Sequence, residues 1–298
     1  LGSVRGMSWH INGDEDAPKK RKMGGYVGPK SGYVRNDFLD RLVKLQPDDF
    51  LVRWGCTSDT NGVPTDQQLN TSQAIKEVGF KKQFRQKCQK LAPELAPFSY
   101  FHLNAVPMEL NTQLVVRRDK HAQGKDLWVV STKQELIDLI RRKNLHSWYA
   151  GELIQKTQEF RVYVVEGRIV TLAEKTPDDP NAVAWNVAQG GTFDVLKWDS
   201  WPMAVCEVAK KSFDLTNLDF AGIDIMTDQF GRAYLIEVNS APSLPFHQDG
   251  SLSYRQRVMA NAFKWISKNG RGSVDPIQQY EGWRDVIHPC QWPRERVE

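Results

Sequence analysis

The chain has 298 residues, of which 40% are hydrophobic and 26% are charged, the composition of a globular protein with one large domain or two to three lobes. No run of 18 apolar residues occurs, so the sequence predicts no transmembrane helix. The formal net charge is only +4, and part of it lies in the block "PKKRK" at 18–22. That block is either a nuclear-localisation or nucleic-acid patch or a solvated tail. No other basic stripe requires nucleic acid as a partner.

The cysteines are widely spaced, without a CxxC pair or a metal-ligand spacing. They are Cys56, Cys88, Cys206 and Cys290. This pattern is typical of buried free thiols in a reducing compartment. The first residues also lack the continuous apolar stretch of a secretion signal, so a cytoplasmic location is expected.

The first third of the chain predicts a tail followed by a small lobe. Residues 1–30 have no periodicity and are expected to form a disordered basic tail. Residues 31–110 are expected to form an N-terminal lobe, with a strand at 49–55. Asn70 or Thr71 then caps one helix that runs through "SQAIKEVGFKKQFRQKCQKLA".

A second lobe is predicted for residues 111–156. Strands at 113–118 and 127–130 flank a polar loop. Thr132 and Glu135 then form a capping-box pair at the start of a helix, and "GELIQ" follows as a strand.

A third lobe is predicted for residues 157–270, with an irregular C-terminal extension at 271–298. It opens with a hairpin that turns at Glu166-Gly167 and contains a second hairpin, "DIMTDQFGRAYLIEVNS". Helices are expected near 203–213 and 252–268. The whole pattern predicts an α+β fold with mainly antiparallel strands and helices on the outside.

The second hairpin places acidic side chains where the surroundings are apolar. A turn at 228–231 puts Asp224 opposite Leu235, so that Asp224, Leu235, Glu237 and Asn239 share one face. Two carboxylates in a sheet interior require a cation or a shared proton, and Mg²⁺ prefers such hard oxygen ligands together with substrate phosphates. In the alternative interpretation, Glu237 pairs with a neighbouring Arg and Asp224 caps a turn.

Cationic side chains lie where a polyphosphate would need them. Arg117 ends a strand just before a loop that contains Gly124, whose backbone N–H groups can approach phosphate oxygens. Arg161 and Lys175 flank the first hairpin turn, and Glu159 shares a face with Arg161. A three-residue connection would place Arg161 and Lys175 on one face, whereas a strict two-residue turn would not. A surface ladder of salt bridges is the alternative.

These motifs, in this order, resemble the ATP-grasp superfamily, most closely the RimK-type carboxylate–amine ligases. "LVVRRDKHAQGKDLWVV" resembles the strand–glycine-loop–strand over the triphosphate, and "GELIQ" the hinge strand at adenine. "QEFRVYVVEGRIVTLAEK" resembles the strand pair with the ribose carboxylate and phosphate-binding cations. "WNVAQGG" resembles the Asn-containing loop, and "AGIDIMTDQFGRAYLIEVNSAPSLP" the Asp…Glu-x-Asn metal hairpin. The resemblance covers roughly residues 110–268, with a fainter similarity at 49–92.

The resemblance implies an ATP-grasp fold, in which antiparallel sheets in two lobes clasp ATP behind a smaller α/β N-terminal lobe. It implies Mg²⁺ or Mn²⁺ at Asp224, Glu237 and Asn239, and catalytic roles for Arg161 and Asn239. The implied nucleotide-binding residues are Arg117, Gln123, Gly124, Glu152, Ile154, Gln155, Glu159, Lys175 and Asn186. The family commonly has Lys where Arg117 stands, and a planar guanidinium would meet phosphate in a different geometry.

The implied reaction is ATP-dependent joining of a carboxylate to an amine through an acyl-phosphate, with release of ADP and phosphate. The expected partners are a small-molecule or peptide carboxylate and an amine co-substrate, with no membrane and no required nucleic acid; the oligomeric state stays open. Two alternatives remain at this point. One is a kinase-like ATP-grasp enzyme that phosphorylates a small molecule, and the other is a non-catalytic nucleotide- or nucleic-acid-binding module.

Overall fold

The N-terminal lobe is built on a small parallel sheet. The computed structural model describes residues 9–12, 33–36, 41–44, 50–57, 63–119, 126–179, 183, 185, 191–244 and 253–274. The first strands are β1 (Trp9–Asn12), β2 (Tyr33–Asn36), β3 (Arg41–Lys44), β4 (Phe50–Arg53) and β5 (Gln68–Leu69). β1, β4 and β5 form the parallel sheet in that order, while β2 and β3 pair separately and antiparallel. The predicted strand at 49–55 is confirmed, but part of the predicted tail is the strand β1.

The helical segment of this lobe is two helices, so the prediction of one continuous helix is wrong. α1 (Ser72–Gly79) and α2 (Lys81–Leu91) are separated at Phe80, whose ψ of 80° is not helical. Glycine is a poor helix former, which weakens the chain at the last residue of α1. Thr71 caps α1 as predicted, its hydroxyl accepting from the backbone N–H of Ala74 at 3.2 Å. The break lets α2 leave α1 in a new direction.

The second lobe carries a four-stranded antiparallel sheet. Its elements are β6 (Ser99–Tyr100), β7 (Leu114–Arg118), β8 (Leu127–Val130), α3 (Lys133–Lys143) and β9 (Trp148–Glu152), with strand order β6-β9-β7-β8. The two predicted strands and the helix are confirmed. The Thr132 hydroxyl accepts from the N–H of Glu135, but the Glu135 carboxylate accepts from Ser131 rather than from Thr132. α3 packs on one face of this sheet through Leu136 and Leu139.

The third lobe contains the largest sheet. Its elements are β10 (Lys156–Val165), β11 (Arg168–Thr176), β12 (Thr192–Val195), α4 (Met203–Asp214), β13 (Phe220–Asp228), β14 (Ala233–Asn239) and α5 (Tyr254–Asn269). The strand order is β12-β11-β10-β13-β14, and every pair is antiparallel. Short 3₁₀ turns lie at Thr65–Gln67, Pro93–Leu95, Leu103–Ala105 and Trp198–Ser200.

The two faces of this sheet differ in what covers them. One face buries a core made with α1, α2 and α4, in which Phe160, Ile223 and Leu235 take part. On the opposite face α5 packs against Tyr163 and Phe220, joined by residues of β4 and β5. The predicted apolar stripe of α5 is core as expected: Val258, Ala262, Phe263 and Ile266 are all buried. The remainder of that second face carries the polar cluster described below.

Within the described ranges, no helix is both long and apolar enough to cross a membrane. Cys56, Cys88 and Cys206 are buried free thiols, as the sequence predicts. Burial raises the pKa of the Cys88 thiol, so it stays protonated and unreactive at neutral pH. Cys290 lies outside the described residues.

Candidate functional site

The β10–β11 hairpin brings Glu159 and Lys175 together. Its two-residue turn has positive φ at both Glu166 (47°) and Gly167 (75°), as a type I′ turn requires. A β-bulge beside Tyr163 then shifts the register, so Glu159 pairs with Lys175 and Arg161 with Ala173. Because cross-strand partners share a face, Glu159, Arg161 and Lys175 point the same way despite the two-residue turn. This settles the question of register that the sequence left open.

The β13–β14 hairpin places Asp224 directly opposite Glu237, not opposite Leu235 as the sequence predicts. Leu235 pairs instead with Ile225, and Ile236 is the extra residue of a β-bulge. The bulge moves Leu235 to the apolar face, where it is buried in the core. The two carboxylates therefore lie closer together than a regular hairpin would place them.

Helix α2 secures this bulge from outside the sheet. Arg85 donates to the carbonyls of Leu235 and Ile236 at 3.1 and 2.7 Å. One turn earlier, Lys81 donates to the carbonyl of Val238 at 2.9 Å. The side chains at i and i+4 of α2 thus bind the irregular stretch of β14, which requires α2 to have left the direction of α1.

Asp224 is held by two cations on the polar face. Arg161 donates to both of its carboxylate oxygens at 2.7 Å, in a bidentate pair, and Lys175 Nζ lies 3.3 Å from Oδ2. Asp224 is 3% exposed. Burial raises the pKa of this carboxyl, but the charges of Arg161 and Lys175 outweigh burial and hold the pKa below its ordinary value.

Glu159 lies between two lysines. Lys175 donates to one carboxylate oxygen, and Lys156 donates to the other at 2.8 Å. Lys156 Nζ also lies 4.5 Å from the centroid of the Trp185 ring. Burial lowers the pKa of Lys156, and the attraction of Glu159 only partly offsets this.

Glu237 is paired from α2 and from its own strand. Lys81 Nζ lies 3.6 Å from Oε2, and the Asn239 amide donates to Oε1 at 3.0 Å. Burial raises the pKa of Glu237, but Lys81, the Asn239 amide and Arg117 together lower it well below the ordinary range. The alternative interpretation of the sequence is therefore met only in part: Glu237 pairs with a lysine rather than an arginine, and Asp224 pairs with Arg161 within the sheet.

The donors at this end of the sheet fit a magnesium ion. Asp224 and Glu237 are cross-strand partners, and Asn239 reaches Glu237, which gives two carboxylates and a carboxamide as hard oxygen ligands. Mg²⁺ commonly binds through one or two carboxylates plus substrate phosphates, so it does not need a larger protein cage. In the part of the chain that the structure describes, no group of three or more His, Cys, Asp or Glu residues is suited to a metal.

The second lobe contributes less of the predicted set. Arg117 on β7 pairs with Tyr149 on β9, and it lies close enough to Glu237 to lower the pKa of that carboxyl. Glu152 instead pairs with Leu114, whose side chain is buried in the α3 core, so Glu152 lies on the face opposite that of Arg117.

The connection after β9 was only partly predicted. The predicted strand "GELIQ" ends at Glu152, so Ile154 and the exposed Gln155 lie in the connection to β10. The predicted site residues Gln123, Gly124 and Asn186 lie outside the described residues.

Sequence reasoning missed four cations near this face: Lys81, Arg85, Lys156 and Arg255. Lys81 and Arg85 had a signal, since they lie four residues apart on one side of a helix. Lys156 begins the same strand as Glu159 but lies three residues away, and only the irregular start of the β10–β13 ladder brings the two together. Arg255 reaches the sheet from α5, a contact that no local pattern indicates.

Residues 59–260 match a protein family described as an ATP-grasp domain, the third family of its clade. The structure of D-alanine–D-alanine ligase from Bacillus anthracis is similar, with 16% identity over 71% of this chain and 75% of that chain and a TM-score of 0.51. The same ligase complexed with ATP has 15% identity over 72% and 74%, with a TM-score of 0.50. The ATP-grasp ligase PsnB, complexed with a phosphomimetic variant of minimal precursor, Mg and ADP, has 14% identity over 65% and 60%, with a TM-score of 0.47. No curated protein matches this chain at the sequence level.

At these identities the likeness concerns the fold alone. It confirms the predicted α+β arrangement of antiparallel sheets in two lobes behind a smaller N-terminal lobe. The chain spans 60%, 64% and 54% of the length of three PsnB structures.

Proposed function

Because the chain belongs to this family of ATP-grasp domains, we propose that it is an ATP-dependent ligase that joins a carboxylate to an amine. The proposed route is an acyl-phosphate, with release of ADP and phosphate. The likeness to RimK-type enzymes is part of this proposal, as are Mg²⁺ or Mn²⁺ and the individual roles of the site residues.

One observation supports the proposal most: the charged face of the large sheet has more cations than it needs for its own carboxylates. Three carboxylates lie on it, and four cations pair with them: Lys81, Lys156, Arg161 and Lys175. Arg117 lies close enough to act on the same group. A buried face with surplus positive charge favours a polyanion such as a triphosphate.

The residues have separate tasks in this proposal. Glu159, fixed between two lysines, is placed to accept hydrogen bonds from the ribose hydroxyls. Arg161 and Lys175 neutralise the charge of the transferring phosphoryl group, which is what phosphoryl transfer chiefly requires of a protein. Asp224, Glu237 and Asn239 would hold the metal, which when bound neutralises phosphate charge and polarises the phosphoryl oxygens.

No nucleophilic side chain is required for this chemistry. The substrate carboxylate attacks the γ-phosphorus, its bond to ADP breaks, and the amine then displaces phosphate from the acyl-phosphate and loses a proton. Cys88 and Cys206 are buried on the apolar side of the sheet and take no part. The protein supplies position and charge, which accounts for the dense ionic pairing on one face.

The test is a product assay with ATP and Mg²⁺ and a panel of amino acids, dicarboxylates and short peptides as acids and amines. The proposal predicts ADP and phosphate in equal amounts, together with a product whose mass is that of acid plus amine less one water. With hydroxylamine replacing the amine, a hydroxamate should form from the acyl-phosphate. Lys211→Gln, an exposed charge change on α4, is the matched control and should retain turnover.

Three results would contradict the proposal. Release of AMP would mean a different activation chemistry. A stable phosphorylated product that resists hydroxylamine would mean a kinase-like enzyme. Tight ATP binding without turnover of any acid and amine in the panel would mean a binding module.

A further inference from the structure

Arg255, the second residue of α5, is a buried cation without a described counter-anion. It is 7% exposed, and its Nη1 donates to the Tyr163 hydroxyl at 3.2 Å. Its Cζ lies 4.9 Å from the centroid of the Phe193 ring. Among the residues that the structure describes, no Asp or Glu pairs with it, and only one of the five N–H donors of a guanidinium is used.

Such a group is costly unless an anion joins it. Removing a guanidinium from water forfeits its hydration, and a neutral phenol and an aromatic face restore only part of that. Tyr163 cannot offer Arg255 a negative charge, because burial raises the pKa of its hydroxyl. That hydroxyl also donates to the Ser243 carbonyl at 2.9 Å, which fixes the oxygen that Arg255 contacts. The guanidinium is therefore held in place with its remaining donors available.

Arg255 adjoins the phosphate-binding cations without being one of them. Arg161 Cζ and Lys175 Nζ lie 5.2 and 5.6 Å from the same Phe193 centroid. Along β10 the polar face presents Glu159, then Arg161, then Tyr163, in steps of about 6.6 Å. Arg255 joins the row at Tyr163, one step beyond Arg161 on the side away from Glu159.

The chain after β14 closes this end of the row. It returns over Gly222, where an added Cβ would lie 2.5 Å from Pro242 Cβ and 3.6 Å from Arg161 Cδ. Ser243, bonded to Tyr163, follows directly. A group beyond the phosphates therefore meets Arg255 and this short segment rather than open solvent.

We propose that Arg255 binds a carboxylate of the substrate and so selects acids as the group to be activated. The inference rests on the proposed ligase function, in which the attacking acid must lie beyond the γ-phosphate, in line with it. A planar guanidinium fork suits a carboxylate in bidentate geometry. Tyr163 and Phe193 fix the plane of the fork.

The test measures carboxylate binding by protein saturated with ADP and Mg²⁺. Acetate, glutarate and L-glutamate are titrated one at a time, and inorganic phosphate separately, with tryptophan fluorescence and calorimetry as readouts. For every carboxylate that wild type binds, Arg255→Gln should weaken binding at least tenfold, and Arg255→Lys should recover part of the loss. Arg257→Gln, an exposed position on the same helix, is the matched control and should bind like wild type. ADP affinity should be unchanged in all variants.

Several outcomes would overturn this assignment. They are equal carboxylate affinity in Arg255→Gln and wild type, no saturable carboxylate binding by wild type, and loss of phosphate or ADP binding rather than carboxylate binding. If Arg255→Gln fails to fold, as judged by a thermal melt, Arg255→Lys decides, and unchanged carboxylate affinity in it contradicts the proposal. A wild type that binds no ADP contradicts the ligase function instead, and the carboxylate titration is then run without nucleotide.

Discussion

Asp224→Asn and Glu237→Gln remove one negative charge each from the same end of the sheet, yet their structural costs should differ greatly. Each substitution keeps the shape of the side chain. Asp224 accepts two 2.7 Å bonds from Arg161 and is almost fully buried. Glu237 is 27% exposed along its side chain, and its lysine partner is 3.6 Å away.

The expected free energies follow from these contacts. Asp224→Asn turns an NH₂ group toward a guanidinium, so Arg161 and Lys175 are left buried and under-compensated. Breaking a buried ion pair in this way costs about 3–5 kcal/mol. Glu237→Gln keeps an oxygen for the Asn239 amide and loses a partly exposed pair, which is worth about 1 kcal/mol. Both variants should lose ATP turnover per folded molecule, because both lose a proposed metal ligand.

Urea denaturation and an ADP-release assay on the same preparations measure both quantities. The double variant Asp224→Asn/Arg161→Gln should recover part of the lost stability, because it removes the uncompensated cation as well. If Asp224→Asn costs no more stability than Glu237→Gln, the described ionic cluster is wrong. If either variant retains full turnover per folded molecule, the metal assignment is wrong.

The remaining predictions concern the covering segment, acid stability and the thiols. Gly222→Ala should cost about 1–3 kcal/mol and reduce turnover, because its Cβ would meet Pro242 Cβ at 2.5 Å, whereas Gly79→Ala has open space and should be neutral or stabilising; equal urea midpoints would contradict this. The folded pKa values of Asp224 and Glu237 lie below their ordinary values, so their contribution to stability is present above about pH 4 and is lost as pH falls further; wild type should lose stability more steeply than Asp224→Asn in that acid range, and parallel profiles would contradict it. The three buried thiols should react with Ellman's reagent only on unfolding, and Cys→Ser replacement of all four cysteines should leave turnover intact; rapid labelling of more than one thiol in the native chain would be inconsistent with the structure.

Local patterns predicted most of the elements that carry the site. Residue alternation along β10 and β13 placed Arg161 and Asp224 on a polar face of a sheet, and the turn at Glu166-Gly167 followed from its residue types. The capping signal at Thr132 also predicted α3 correctly. These features depend on neighbours a few residues away, which is what a sequence displays directly.

The failures have a tertiary cause. The bulge at Ile236 is held by Arg85, about 150 residues earlier in the chain, so no pattern within the hairpin could indicate it. The break at Phe80 is needed for that contact, and β1 finds its partner β4 only through long-range parallel pairing. Pairing Asp224 with Leu235 was therefore the reasonable local prediction, and it was wrong because of the bulge.

The central claim is that ATP binds over the cationic face of the large sheet, and calorimetric titration with ATP and Mg²⁺ tests it most directly. Lys175 contacts both Glu159 and Asp224, whereas Lys211 is an exposed lysine on α4. Lys175→Gln should weaken ATP binding about tenfold to a hundredfold, since a charge-assisted contact is worth about 1.5–3 kcal/mol, and Lys211→Gln should bind ATP like wild type. Equal ATP affinity in wild type and a folded Lys175→Gln protein would contradict the account.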